Sequence, residues 1–104
     1  MSSNYATLDG NWEIVGLPSD YIVAIFMMSQ IENYVTGTIE VSNDVTQNFG
    51  IEGNNNYPNV SLDFKVGSYT EFNFQGTFKD TNTVTGTLSG RFTGPATLSR
   101  SIYT

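Results

Sequence analysis

The chain has 104 residues, 38% of them hydrophobic and 13% aromatic, with ten acidic against four basic residues and a net charge of −6. That length suits one domain, which buries somewhat over ~60% of its unfolded surface and so has room for one modest core. The bases Lys65, Lys79, Arg91 and Arg100 are scattered, which leaves no basic patch for nucleic acid or an anionic membrane, and the absence of Cys and His removes disulfides, thiol chemistry, His-based proton transfer and the usual zinc sites.

Residues 1–8, MSSNYATL, are polar and read as a flexible N-terminal tail, with a single domain over 9–104. Gly10 to Val15 alternates as a strand, with Trp12 and Ile14 on one face. Gly16 to Asp20, GLPSD, is a turn in which Pro18 pre-sets the backbone angle.

Tyr21 to Met28, YIVAIFMM, is apolar on both faces. A helix competes with a strand here, but the run is short and rich in β-formers at its start, so a strand is predicted. A strand apolar on both sides needs cover on both sides. Period two assigns Ile22, Ala24, Phe26 and Met28 to its outer face, and so makes Ile22, Phe26 and Met28 candidates for an interface with the tail, a second subunit or a partner. The run falls well short of the ~20 residues that span a bilayer, so no membrane insertion of the domain is expected.

Tyr34 to Val41 is the next strand, followed by a short one around Phe49 to Glu52 and a turn at Gly53 to Asn56. Tyr57-Pro58 breaks the ladder, and an aromatic before proline favours a cis bond. Val60 to Val66 points Val60, Leu62, Phe64 and Val66 inward, and Gly67-Ser68 turns the chain. Glu71 to Phe92 then forms a hairpin about Asp80-Thr81-Asn82. If Phe78 faces Val84, then Gly76 faces Gly86 and Phe74 faces Leu88; glycine against glycine on the inner face lets a sheet bend sharply. Gly94-Pro95 turns again, and Ala96 to Ile102 is the last strand.

Eight short strands in sequence order, joined by tight turns and without a helix, predict an all-β fold. The architecture expected is an eight-stranded antiparallel up-and-down β-barrel, with a β-sandwich as the alternative.

Gly10-Asn11-Trp12 in the first strand resembles the Gly-x-Trp that opens lipocalin-like (calycin) barrels, and Arg100 resembles the basic residue those barrels set across that Trp. The resemblance implies that first and last strands are neighbours, with Trp12 and Arg100 closing one end. The chain is shorter than a typical lipocalin, lacks that family's C-terminal helix, and lacks the additional Trp residues of an avidin. Met1-Ser2-Ser3-Asn4 is similar to the mature start of a bacterial lipoprotein just past a removed leader. Export to the periplasm, cell surface or medium is therefore expected, with an ordinary cytoplasmic start as the alternative.

Inward positions nominate Trp12, Ile25, Tyr34, Phe64, Phe74 and Leu88 as lining a ligand cavity. An eight-stranded barrel is just wide enough to be filled by its own side chains or to hold one small ligand. Loop Asp and Asn residues lack calcium-loop spacing, and without His no catalytic triad exists, so no metal, cofactor or catalytic residue is expected. Three functions stay open: a non-enzymatic lipocalin-like barrel for a small apolar ligand, a protein-binding module such as a periplasmic inhibitor of a secreted hydrolase, or a filled barrel that self-associates, as in a homodimer, through Tyr21 to Met28. Tyr5, Tyr57, Tyr69 and Tyr103 read as exposed aromatics near loops or termini.

Overall fold

A computed structural model describes residues 6–23 and 25–101. They form strands β1 (Gly10–Val15), β2 (Ile22–Val23), β3 (Phe26–Ile31), β4 (Tyr34–Asn43), β5 (Val45–Asn56), β6 (Asn59–Val66), β7 (Tyr69–Asp80), β8 (Thr83–Gly90) and β9 (Gly94–Arg100). Each strand of the ring β1-β3-β4-β5-β6-β7-β8-β9 pairs antiparallel with the next, and β9 pairs back onto β1. This is a closed eight-stranded up-and-down barrel with β2 as a ninth, extra strand on β4. Closure leaves the ring no open edge, and the connections are short enough to keep sequence neighbours adjacent.

The β7–β8 hairpin has the predicted register: Phe74 faces Leu88, Gly76 faces Gly86 and Phe78 faces Val84. The glycine pair is required by close approach. A Cβ on Gly86 would run into the Gln75 carbonyl and stand 2.6 Å from the Gly76 Cα, while one on Gly76 would stand 2.7 Å from the Thr85 carbonyl oxygen. Tyr57-Pro58 is cis, as expected.

Four sequence expectations about the strands give way. Gly94-Pro95 does not turn: both residues belong to β9, Gly94 facing Leu88 and Pro95 facing Thr87, and the chain bends at Arg91-Phe92 instead. Gly53 to Asn56 does not turn. The asparagines complete β5, with Asn54 facing Ser61, Asn55 facing Val60 and Asn56 facing Asn59, and the chain turns at Tyr57-Pro58 instead. Asn-rich composition favours turns locally, but here pairing of all four residues with β6, of Gly53 and Asn54 also with β4, and burial of Asn55 override it. Val66 is 51% exposed because it pairs with Tyr69 at a hairpin tip, beyond the core.

The fourth concerns Tyr21 to Met28. Val23 faces Val41 and Met27 faces Thr38, so four steps along this strand match three along β4. One extra residue has been inserted, which is the arithmetic of a β-bulge, and a bulge flips the alternation beyond it. Ile22 is exposed as expected, but Phe26 and Met28 are 3% and 1% exposed and face the core. Their neighbours Ile25 and Met27 take the outside. Ala24, also assigned to the outer face, lies outside the described residues.

The interior is one continuous cluster of side chains. Phe72 is the hub of its aromatic half. It stacks on Phe64 at 4.4 Å between ring centroids and meets Phe49 and Phe92 edge-on at 5.4 and 5.0 Å. Offset and edge-to-face pairs of this kind add ~0.5–1.5 kcal/mol each beyond simple burial. Arg91 lies 5.5 Å from the Phe92 ring centroid, with Glu71 3.7 Å from its guanidinium.

Candidate functional site

The barrel end near the N-terminus is built from residues far apart in sequence. Trp12 and Arg100 face each other across β1 and β9, with the guanidinium carbon 4.5 Å from the indole ring centroid. The same guanidinium donates from Nη1 to the Asp9 carbonyl (2.6 Å), from Nη2 to the carbonyls of Thr7 (2.8 Å) and Thr81 (3.2 Å), and from Nε to Asn82 Oδ1 (3.2 Å). Partial burial holds its pKa below the ordinary arginine value, with Asp9 opposing that shift. One side chain thus ties together the strand entering the barrel, the strand leaving it and the β7–β8 turn.

Residues 6–9 run as a strap across this end. Trp12 Nε1 donates to the Leu8 carbonyl (3.0 Å), the Leu8 amide donates to Gln30 Oε1 (2.9 Å), and Asn55 Nδ2 donates to the Ala6 carbonyl (2.7 Å). Ala6 is buried and Leu8 is 0% exposed. The expected loose tail over residues 1–8 therefore does not extend to Ala6, Thr7 and Leu8; residues 1–5, Tyr5 included, lie outside the described residues. Sequence reading missed Leu8, Gln30 and Asn55. The bonds that join Leu8 to Gln30 and Asn55 to Ala6 span 22 and 49 residues, and no local signal announces them.

Of the six predicted cavity residues, Trp12, Phe64, Phe74 and Leu88 do face the barrel axis, and all four belong to the continuous core cluster. Ile25 and Tyr34 face outward, 45% and 48% exposed. Ile25 is displaced by the bulge. For Tyr34, Val35, Ile39 and Val41 take the inner face of β4, so period two puts Tyr34 outside, where its hydroxyl donates to Glu52 Oε2 at 3.3 Å. Tyr69 is exposed, Tyr57 packs on Phe78 at 5.2 Å, and Tyr103 lies outside the described residues.

Grooves on the outer surface of the described residues include two on opposite walls. The first follows the bulge. It has a volume of about 370 Å³ and is lined by Asn11, Ile25, Met27, Thr38, Glu40 and Asn48 with the strand backbone at Phe26 and Ile39. Met27 is 60% exposed and sits between Asn11 on β1 and Thr38 on β4. Ile25 stands two residues away on the same face, and Ile22 is 73% exposed on β2. The second, of about 420 Å³, crosses the Gly76–Gly86 crease and is lined by polar, uncharged side chains.

Charge is divided between the two halves of the chain. Asp9, Glu13, Asp20, Glu32, Glu40, Asp44, Glu52 and Asp63, eight of the ten acids, precede Lys65, the first basic residue. The wall formed by β1, β3 and β4 therefore presents carboxylates and no cation of its own. The Arg100 guanidinium beside it is engaged by the strap.

Compared with protein-family models, characterised proteins and solved structures, the chain matches none. Among the described residues, no helix is long and apolar enough to cross a membrane.

Proposed function

We propose that this barrel is a non-catalytic protein-binding module that docks a basic partner protein on the outer face of β3 and its neighbours. One observation carries the reading: Met27 stands in solvent on a strand whose alternate residues fill the core, and Ile25, just before that strand, is exposed beside it. Exposed apolar groups beside a groove mark interaction sites more often than isolated ones do. The carboxylates of this wall, Glu40 within the groove and Glu13 on β1, select the sign of the partner's rim. A second copy of the chain is the poorer occupant, because each copy carries −6 and would bring acid against acid.

The partner is thus a protein with an apolar centre ringed by Lys or Arg; a secreted hydrolase held by an exported inhibitor is one instance. Lipocalin-like kinship and export belong to the same proposal, the former supported by the Trp12–Arg100 stack. A barrel enclosing a small apolar ligand is the less favoured reading, since Trp12, Phe64, Phe74 and Leu88 pack into one cluster.

The test is amide chemical-shift mapping with a synthetic peptide of alternating Lys and Leu, with a Glu/Leu peptide as control. Saturable shifts at Ile25, Met27 and Glu40 with the Lys peptide alone, weakened by salt and lost in Ile25→Ser/Met27→Ser, support the proposal. Equal response to both peptides, or binding undiminished in the double variant, overturns it. A concentration-dependent dimer lost in the same variant would replace the basic partner with a second copy.

A further inference from the structure

From the second groove we infer a binding site for a neutral saccharide chain. Its wall is the opposite one: round the ring, β7 is four strands from β3 in either direction, by β1-β9-β8 or by β4-β5-β6. Period two turns Val60, and any side chain that would stand at Gly76 or Gly86, toward the barrel interior, so between the rows of outward side chains a ligand meets strand backbone. Its volume of about 420 Å³ lies within the usual ~300–1,000 Å³ of small-ligand clefts.

Six polar side chains converge on it: Asn56, Asn59, Ser61, Gln75, Thr77 and Thr85. None is charged. An anion or a cation would find no counter-charge, and an apolar ligand would find only the buried Val60. A sugar hydroxyl both donates and accepts, and the groove offers both valences in fixed positions. Gln75 is anchored through its NH2, which donates to Ser61 Oγ at 2.7 Å and Asn73 Oδ1 at 3.0 Å, so its Oε1 is left to accept. Asn56 is anchored the other way. Its Oδ1 accepts from Asn33 Nδ2 at 2.9 Å, so its NH2 is left to donate. The Ser61 hydroxyl, already accepting from Gln75, keeps its proton for a ligand.

Register arranges these groups in rows. Asn59, Thr77 and Thr85 lie side by side across β6, β7 and β8, and Ser61, Gln75 and Thr87 form the next row. Neighbouring strands repeat every ~4.8 Å and alternate side chains along a strand every ~6.6 Å, so the polar groups form a regular two-dimensional array on this wall. This inference does not depend on the protein-docking proposal, which uses the other wall.

The experiment is amide chemical-shift titration and calorimetry with maltohexaose, cellohexaose, mannohexaose, laminarihexaose, xylohexaose and chitohexaose, with a heparin hexasaccharide as the anionic control. We expect at least one neutral oligosaccharide to shift Asn59, Gln75, Thr77 and Thr85 saturably, and the heparin fragment not to. Gln75→Ala/Thr85→Val, both exposed strand positions, should keep the wild-type melting temperature and weaken that binding by about tenfold or more. Thr77→Val provides an independent variant should the first pair disturb the hairpin. Absence of a saturable shift with every neutral oligosaccharide up to about 10 mM, where even millimolar affinity would register, overturns the inference. So does binding of heparin as tight as that of any neutral sugar, or binding undiminished in both variants.

Discussion

Arg100 covers the face of Trp12 at 4.5 Å and, with the same guanidinium, holds the carbonyls of Thr7, Asp9 and Thr81. The stack contributes ~0.5–2 kcal/mol depending on desolvation. Hydrogen bonds from a charged donor add ~1.5–3 kcal/mol for a well-formed one. The residue closes the barrel through both.

Arg100→Lys tests that division of labour. A lysine keeps the charge but loses the planar fork, so it cannot reach the strap, the turn and the indole together. We expect a loss of about 2 kcal/mol and a fall in melting temperature of roughly 8–16 °C for a domain of this size. Hydrogen exchange should rise first at Leu8 and Trp12. Equal stability in chemical denaturation would show that the stack and the strap are independent of the guanidinium.

Phe26 and Met27 are adjacent in sequence and opposite in environment, 3% and 60% exposed. Phe26→Glu buries an unpaired carboxylate in the core and should abolish cooperative folding. Met27→Glu meets water and should leave the melting temperature within about 2–4 °C of wild type, as surface changes usually cost under ~0.5 kcal/mol. Circular dichroism melts of the two variants decide whether the bulge phase is as described.

Gly86→Ala and Gly50→Ala separate close approach from ordinary strand propensity. A Cβ at Gly86 collides with the Gln75 carbonyl, whereas at Gly50 the nearest atom, the Lys65 carbonyl oxygen, is 3.9 Å away. Overpacking typically costs ~1–3 kcal/mol, so Gly86→Ala should melt well below wild type. Gly50→Ala should be neutral or stabilising by up to ~1 kcal/mol, because it lowers the entropy of the unfolded chain. Similar urea midpoints for both would contradict the crease.

Glu52 and Lys65, 2.9 Å apart on the outer face, shift each other's ionisation. The hydrogen bond from Lys65 and then its charge lower the Glu52 carboxyl, and the same contacts raise the Lys65 ammonium. A lowered carboxyl stabilises the fold above its ordinary value of 4.5 and loses that effect as pH falls through the lowered one. A raised ammonium stabilises below 10.5 and loses that effect as pH rises through its raised value. Glu52→Gln should therefore melt slightly below wild type at neutral pH, with the two converging in strong acid and in strong alkali. The gap is small, because water screens the pair. A gap that widens on acidification would reverse the assignment.

The sequence on its own determined the repeated units and their pairing. Period-two alternation and turn residues located most of the barrel strands, and alternation about the Asp80-Thr81-Asn82 turn implied the β7–β8 register; that the strands of Trp12 and Arg100 meet was implied by the resemblance to lipocalin-like barrels. Alternation and turns are legible because they depend on neighbours close along the chain. Only the tertiary structure decided which side of Tyr21 to Met28 faces water, that Asn55 is buried in a strand, and that Ala6 to Leu8 strap the barrel end. Each turns on a contact across the ring: one residue inserted against β4 reverses the facing of Phe26 and Met27, and the Ala6 carbonyl finds its donor 49 residues away. Local composition carries no information about a phase slip or a distant donor, because the energy that selects them arises only when the barrel closes.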